Sequence, residues 1–87
     1  MMAHNGLAKL AEELGECSQI VGKLLAYPDG NHPDGNGGLH SRLEDEIADV
    51  IAASWFVANK LRLTADRIDD RAASKLNLFH QWDKELK

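Results

Sequence analysis

Two short acidic segments carry the residues of this chain that could do chemistry. The first is EELGE at 12–16, and the second, EIAD at 46–49, follows it by thirty residues. In each segment two acids stand three residues apart, which places them on one helix face about a turn apart. Like charges held this close repel each other, so two such pairs brought together would call for a cation.

The apolar residues around both segments predict amphipathic helices, because they recur at spacings of three and four. The apolar seam of the first helix comprises Leu7, Leu10, Leu14, Cys17, Val21 and Leu24, and that of the second comprises Leu43, Ile47, Val50, Ser54, Val57 and Leu61. Glu13 and Glu16 each stand one residue before a seam position, and so do Glu46 and Asp49. If the helices pack antiparallel, this shared offset brings all four carboxylates into one groove, whereas a parallel pair would separate them.

A groove of carboxylates suits magnesium, which takes hard oxygen ligands and is typically held by a few carboxylates together with substrate phosphates. A redox carboxylate-bridged metal bundle is an alternative, but such bundles normally use Glu-x-x-His motifs. Here Glu16 and Asp49 stand where those histidines would be. Oxygen-only ligands favour magnesium over iron. A second alternative is a non-catalytic helical interaction module, in which the acids are a solvated face.

The pattern Glu12-Glu13-x-x-Glu16 followed by Glu46-x-x-Asp49 resembles the signature of the MazG-like all-α nucleoside triphosphate pyrophosphohydrolases. The likeness extends over most of the chain. It implies an Mg²⁺-dependent enzyme that cleaves a nucleoside or deoxynucleoside triphosphate to the monophosphate and pyrophosphate. By this resemblance the metal ligands are Glu13, Glu16, Glu46 and Asp49.

Further site residues are predicted around the metal. Glu12, on a more exposed row, could orient or deprotonate the attacking water, or be a solvated surface acid. The resemblance implies a basic residue on the third helix that binds substrate, and Lys75 and Arg71 are the candidates. Four other cations lie on the rows of the acids, and salt-bridged rims are favoured over phosphate contacts for them: Lys9, Lys23, Arg42 and Lys60. Phe56 could stack on a base, although a core position is favoured.

Three helices should position these residues, at about 6–25, 39–61 and 65–86, with Thr64 as the N-cap of the third. The long loop at 28–38 repeats Pro-Asp-Gly-Asn, which is turn chemistry. It fails as a calcium loop of the EF-hand type, because proline and histidine stand at ligand positions. We therefore predict a flexible connection or a flap here, and an all-α fold built as an antiparallel bundle of three helices.

Composition limits the size and setting of this bundle. With 87 residues, 44% of them hydrophobic, the chain is one domain over 1–87 whose core should be completed in a homodimer or homotetramer, with Trp55 near the contact. A net charge of -4 without a basic stripe argues against nucleic-acid binding. Because no long apolar run and no signal-peptide pattern is present, we expect no membrane segment and a cytoplasmic location.

Overall fold

A computed structural model describes residues 4–86 as three helices with no strand among them. Helix α1 spans Leu7–Ala26, α2 spans Leu39–Lys60 and α3 spans Ala65–Glu85. The all-helical prediction is confirmed, and each predicted bound lies within one residue of the observed one. None of these helices is long and apolar enough to cross a membrane.

Helices α1 and α2 form an antiparallel hairpin. At one end Gly6, which precedes α1, lies against Phe56 near the end of α2. At the other end Lys23 of α1 and Arg42 of α2 both bind Asp34 of the connecting loop. The start of each helix therefore lies beside the end of the other, which is the arrangement that brings the two acidic segments together.

The buried face of the hairpin differs from the predicted apolar seam. Glu13 and Ile20 of α1 are buried, together with Leu39, Ala53, Val57 and Ala58 of α2. Seam residues Leu14 and Ile47 are instead 50% and 47% exposed. The helices are thus rotated so that the row of Glu13 lies in their contact. Among the buried residues of α2, Ala53 and Ala58 are small, which suits close packing of two helices.

The loop at 28–38 is a folded segment built from its two repeats. In each repeat the aspartate accepts a 3.0 Å hydrogen bond from the backbone N–H two residues later, and the following glycine has a positive φ. The N–H of Gly30 donates to the Tyr27 carbonyl and the N–H of Leu39 donates to the Gly30 carbonyl, both at 2.9 Å. Leu39 is fully buried. The loop is therefore anchored to the ends of both helices.

The predicted three-helix bundle does not form within one chain, because α3 does not pack along the hairpin and contains no buried residue among those described. The chain turns at Arg62, which has a φ of 56°, and α3 leaves the hairpin with Phe79 and Trp82 exposed. The radius of gyration is 15.9 Å, against about 12 Å for a compact domain of this length. Helical periodicity predicts an apolar face, but it does not identify the neighbour that covers it.

Candidate metal centre

Three of the predicted carboxylates converge in the middle of the hairpin. Glu13 and Glu16 come from successive turns of α1, and Glu46 comes from the facing turn of α2. One carboxylate oxygen of each lies within 4.8 Å of the others. We call these three residues the carboxylate cluster. It offers only oxygen ligands, which suits a hard divalent cation such as Mg²⁺.

Burial distinguishes this cluster from an ordinary acidic surface. Glu13 is only 7% exposed, and within residues 4–86 its Oε2 has no hydrogen-bond partner. Oε2 of Glu46 is also buried without a partner. Leaving a buried carboxylate oxygen unpaired costs free energy. A cation bound at the cluster would satisfy both oxygens, so the residues present fit a divalent metal.

The negative charges of the cluster act on one another. The pKa of the Glu16 carboxyl is raised, first by the negative charge of Glu13, then by desolvation and by the charge of Glu46. Lys9 offsets part of this charge, since its Nζ lies 3.3 Å from Glu13 Oε1 and 3.5 Å from Glu12 Oε1. The Lys9 side chain is 57% exposed, so its ion pairs are weak and releasing Lys9 to water would cost little free energy.

Two other predicted residues lie beside the cluster and not within it. Asp49 is exposed and is not one of the three converging carboxylates. It lies on the wall of a shallow pocket next to the cluster, which is lined by Lys9, Glu13, Asp49, Ala52, Ala53 and Phe56. Glu12 is exposed on the solvent side of Glu13. The ring of Phe56 is 45% exposed, with Lys60 Nζ 5.6 Å from its centroid.

The predicted substrate-binding residues of α3 are not brought to the cluster in this chain. Arg71 lines a groove at the corner between α2 and α3, together with Arg62, Leu63 and Arg67 among others. Lys75 is half-buried on α3. Because α3 does not pack along the hairpin, a role for either residue at the carboxylate cluster stays a prediction.

The loop supplies one charged residue that sequence reasoning did not single out. Asp34 binds Lys23 and Arg42, so both cations are in ion pairs at the rim of the hairpin, as predicted for them. The available signal was the repeat itself, because it places an aspartate twice in a loop that joins two helices with basic residues near their ends.

Comparison with models of protein families, with curated proteins and with solved structures finds no significant match. The resemblance to the MazG-like enzymes therefore depends on the acidic motifs of this sequence and stays a prediction.

Proposed function

We propose that this protein is an Mg²⁺-dependent pyrophosphohydrolase that cleaves a nucleoside or deoxynucleoside triphosphate to the monophosphate and pyrophosphate. The observation that carries the proposal is the convergence of Glu13, Glu16 and Glu46, two of which have buried oxygens without partners. Solvated acids on a helix surface would not leave such oxygens unsatisfied, because water would reach them. The spacing of these acids, with Glu12 and Asp49, supports the choice of reaction.

In the proposed site the three cluster residues hold the metal, and Asp49 supports it from the next turn of α2. Bound Mg²⁺ would offset charge on the triphosphate and favour ionisation of a water. In the proposed reaction a water would attack the phosphorus nearest the sugar, and pyrophosphate would leave. Glu12 accepts the proton of the water, because it lies beside Glu13 while remaining open to solvent.

The shallow pocket beside the cluster supports a nucleotide as the substrate. Its walls combine Asp49 and Glu13 with apolar surface from Ala52, Ala53 and Phe56. A ligand whose polar group binds near the carboxylates would thus find an apolar surface beside it, large enough to contact part of a nucleoside. Phe56 offers an exposed aromatic face, which is suited to stacking on a base.

We further propose that the working form is a cytoplasmic homodimer or homotetramer. The chain exposes 6991 Å², whereas a compact monomer of its mass exposes about 5,100 Å². The excess is similar to what each subunit buries in an obligate dimer. Apolar seam residues of both hairpin helices are half-exposed, Leu14, Val21 and Ile47 among them, so a second copy packed on this face would cover them.

The proposed reaction is tested with purified protein, a panel of nucleoside triphosphates and a colorimetric assay for pyrophosphate, with and without Mg²⁺. We expect monophosphate and pyrophosphate only with Mg²⁺. Glu46→Gln should lose activity by roughly 100-fold, as when one charge-stabilising group is removed. Glu44→Gln, an exposed acid on the same helix, is the control and should remain active.

Other outcomes separate the alternatives. Release of orthophosphate and diphosphate would mean a different reaction at the same metal site. If no triphosphate is cleaved and Mg²⁺ does not change the melting curve, the non-catalytic interaction module replaces the enzyme. Circular dichroism of each variant establishes whether lost activity reflects lost helix.

A further inference from the structure

Asp34 joins the two helices of the hairpin through a network of ionic contacts. Its Oδ2 lies 3.0 Å from Lys23 Nζ of α1, and Arg42 Nη1 of α2 donates to both of its oxygens at 3.1 and 3.2 Å. Its Oδ1 also accepts the backbone N–H of Asn36. His32 Nδ1 lies 3.1 Å from Oδ2, but this nitrogen accepts the Asp34 N–H and so carries no proton for the carboxylate.

This network lies at one end of the carboxylate cluster. Arg42 precedes Glu46 by four residues on α2, about 6 Å along the helix axis, and Lys23 follows Glu16 by seven residues on α1, about 10 Å along it. A chain of phosphates on a metal held by the cluster has a length comparable with these distances. Lys23 and Arg42 are therefore the cations nearest to the loop end of such a ligand.

The charges of the network do not balance. Lys23 and Arg42 carry two positive charges, and Asp34 offers one negative charge between them. A phosphate group carries more negative charge and three acceptor oxygens, so it can bind both cations more completely. The side chains involved are 20 to 32% exposed, and exchanging one partly solvated ion pair for another costs little free energy.

We propose that Asp34 is an internal counter-anion that a polyphosphate displaces from Lys23 and Arg42. This inference rests on the proposed function, because it assumes that the ligand is anchored by a metal at the carboxylate cluster. Lys23 and Arg42 bind the end of the phosphate chain, and Asp34 holds both cations in place when no ligand is bound. Asp34 thus competes with the ligand and lowers its affinity.

The loop repeat supplies a matched control. Asp29 and Asp34 occupy the same position of their Pro-Asp-Gly-Asn repeats, and each accepts a 3.0 Å hydrogen bond from the backbone two residues later. Of these two aspartates, Asp34 alone is bound to lysine and arginine side chains in the described part of the chain. Replacement by asparagine keeps an oxygen for the turn at either position and removes the charge, so only Asp34→Asn releases the two cations.

The test is calorimetric titration of the full chain with inorganic tripolyphosphate in excess Mg²⁺. We expect Asp34→Asn to bind about fivefold more tightly than the unmutated protein, which corresponds to the loss of one partly exposed ion pair. Asp29→Asn should bind unchanged. Lys23→Gln and Arg42→Gln should each bind tripolyphosphate more weakly. When Asp34→Asn is combined with either of them, the affinity should rise little or not at all.

Equal or weaker binding by folded Asp34→Asn would show that Asp34 only fastens the loop, and the inference would be overturned. If that variant does not fold by circular dichroism, Lys23→Gln and Arg42→Gln decide, since unchanged binding by both also overturns it. The titration needs no turnover, so the two proposals can fail separately. If Asp34→Asn binds tripolyphosphate more tightly but the protein hydrolyses no triphosphate, only the enzymatic proposal is wrong. If the protein hydrolyses a triphosphate but Asp34→Asn does not bind tripolyphosphate more tightly, only the counter-anion proposal is wrong.

Discussion

At the scale of single residues, Glu16 shows how the repulsion within the carboxylate cluster lowers the stability of the fold. The charges of Glu13 and Glu46 and its own desolvation raise its pKa. Stability that depends on the protonated form is fully present below the unfolded pKa of about 4.3 and is lost as pH rises through the folded pKa. Without metal, Glu16→Gln should therefore melt at a higher temperature than the unmutated protein at pH 7.5, and the difference should vanish near pH 4.

Thermal melting followed by circular dichroism in a chelating buffer checks this prediction, with Glu44→Gln as the control. Added Mg²⁺ should raise the melting temperature of the unmutated protein and of the control, because binding to the native state stabilises it by mass action. The rise should be much smaller for Glu16→Gln, which lacks one of the metal ligands. Identical melting of all three proteins at every pH would contradict a strained cluster.

Asp34 predicts the opposite dependence on pH. The Asn36 backbone N–H, then Lys23 and Arg42, hold the pKa of its carboxyl well below its usual range, although burial opposes the shift. Such a group stabilises the fold above its unfolded pKa of about 3.9 and loses this contribution as pH falls. Asp34→Asn should thus lower the melting temperature at pH 7, and the gap should close below about pH 4. If Asp29→Asn lowers the melting temperature at pH 7 by the same amount, the stabilising effect of Asp34 comes from its turn and not from its ion pairs.

Sequence spacing was a good guide to the carboxylates of the cluster, but it did not identify the anion that binds Lys23 and Arg42. The offset from the seam predicted that Glu13, Glu16 and Glu46 meet, and the hairpin brings them together. The repeat drew attention to Asp34 but could not specify its contacts, because a side chain in an 11-residue loop reaches its partners only once the loop has folded. Asp49 was predicted to join them but is exposed and lies outside the cluster, a difference that an offset of one residue does not specify.

At the scale of elements, Gly6 and Gly15 are two glycines with opposite requirements. Gly6 has a φ of 83°, and a Cβ there would lie 2.5 Å from Phe56 Cδ2. Gly15 lies within α1 with nothing near its Cβ position. Gly6→Ala should cost roughly 1–2 kcal/mol in backbone strain before any clash, whereas Gly15→Ala should stabilise the helix by up to about 1 kcal/mol.

In melting experiments a change of about 1 kcal/mol shifts Tm by roughly 4–8 °C for a domain of this size. Gly6→Ala should melt several degrees lower and Gly15→Ala several degrees higher than the unmutated protein. A neutral Gly6→Ala would mean that the close approach of Phe56 does not fix the end of the hairpin.

Element bounds were predictable because local chemistry decides them. The apolar periods and the Pro-Asp-Gly-Asn repeats act over a few residues. Helix α3 begins after Thr64 as predicted, although the Thr64 side chain forms no capping hydrogen bond among the described residues. The face that each helix buries was not predictable, because it depends on which neighbouring helix packs against it. Asn5 shows the same kind of local chemistry, since its Oδ1 accepts the N–H of Leu7 at the start of α1.

At the scale of the whole molecule, a single chain is more open than a compact domain of its length. The 15.9 Å radius of gyration and the uncovered α3 leave large apolar side chains in contact with water. The sequence gives each helix an apolar face, and no rule of spacing tells whether its own chain or another covers that face. The small core, in contrast, was predictable from length alone, because short chains bury a small fraction of their surface.

Assembly through the exposed seam should therefore be a property of the intact protein. Light scattering at micromolar concentration should give at least twice the 9.6 kDa chain mass. Ile47→Glu places a charge on the half-exposed seam and should yield a monomer with a lower melting temperature, because the apolar contact is lost. Gln19→Glu adds the same charge on an exposed position of α1 outside the seam and should assemble normally. A monomeric unmutated protein would refute the assembly. A stable oligomer of Ile47→Glu would mean that the subunits contact each other through another apolar face, and that face would be on α3.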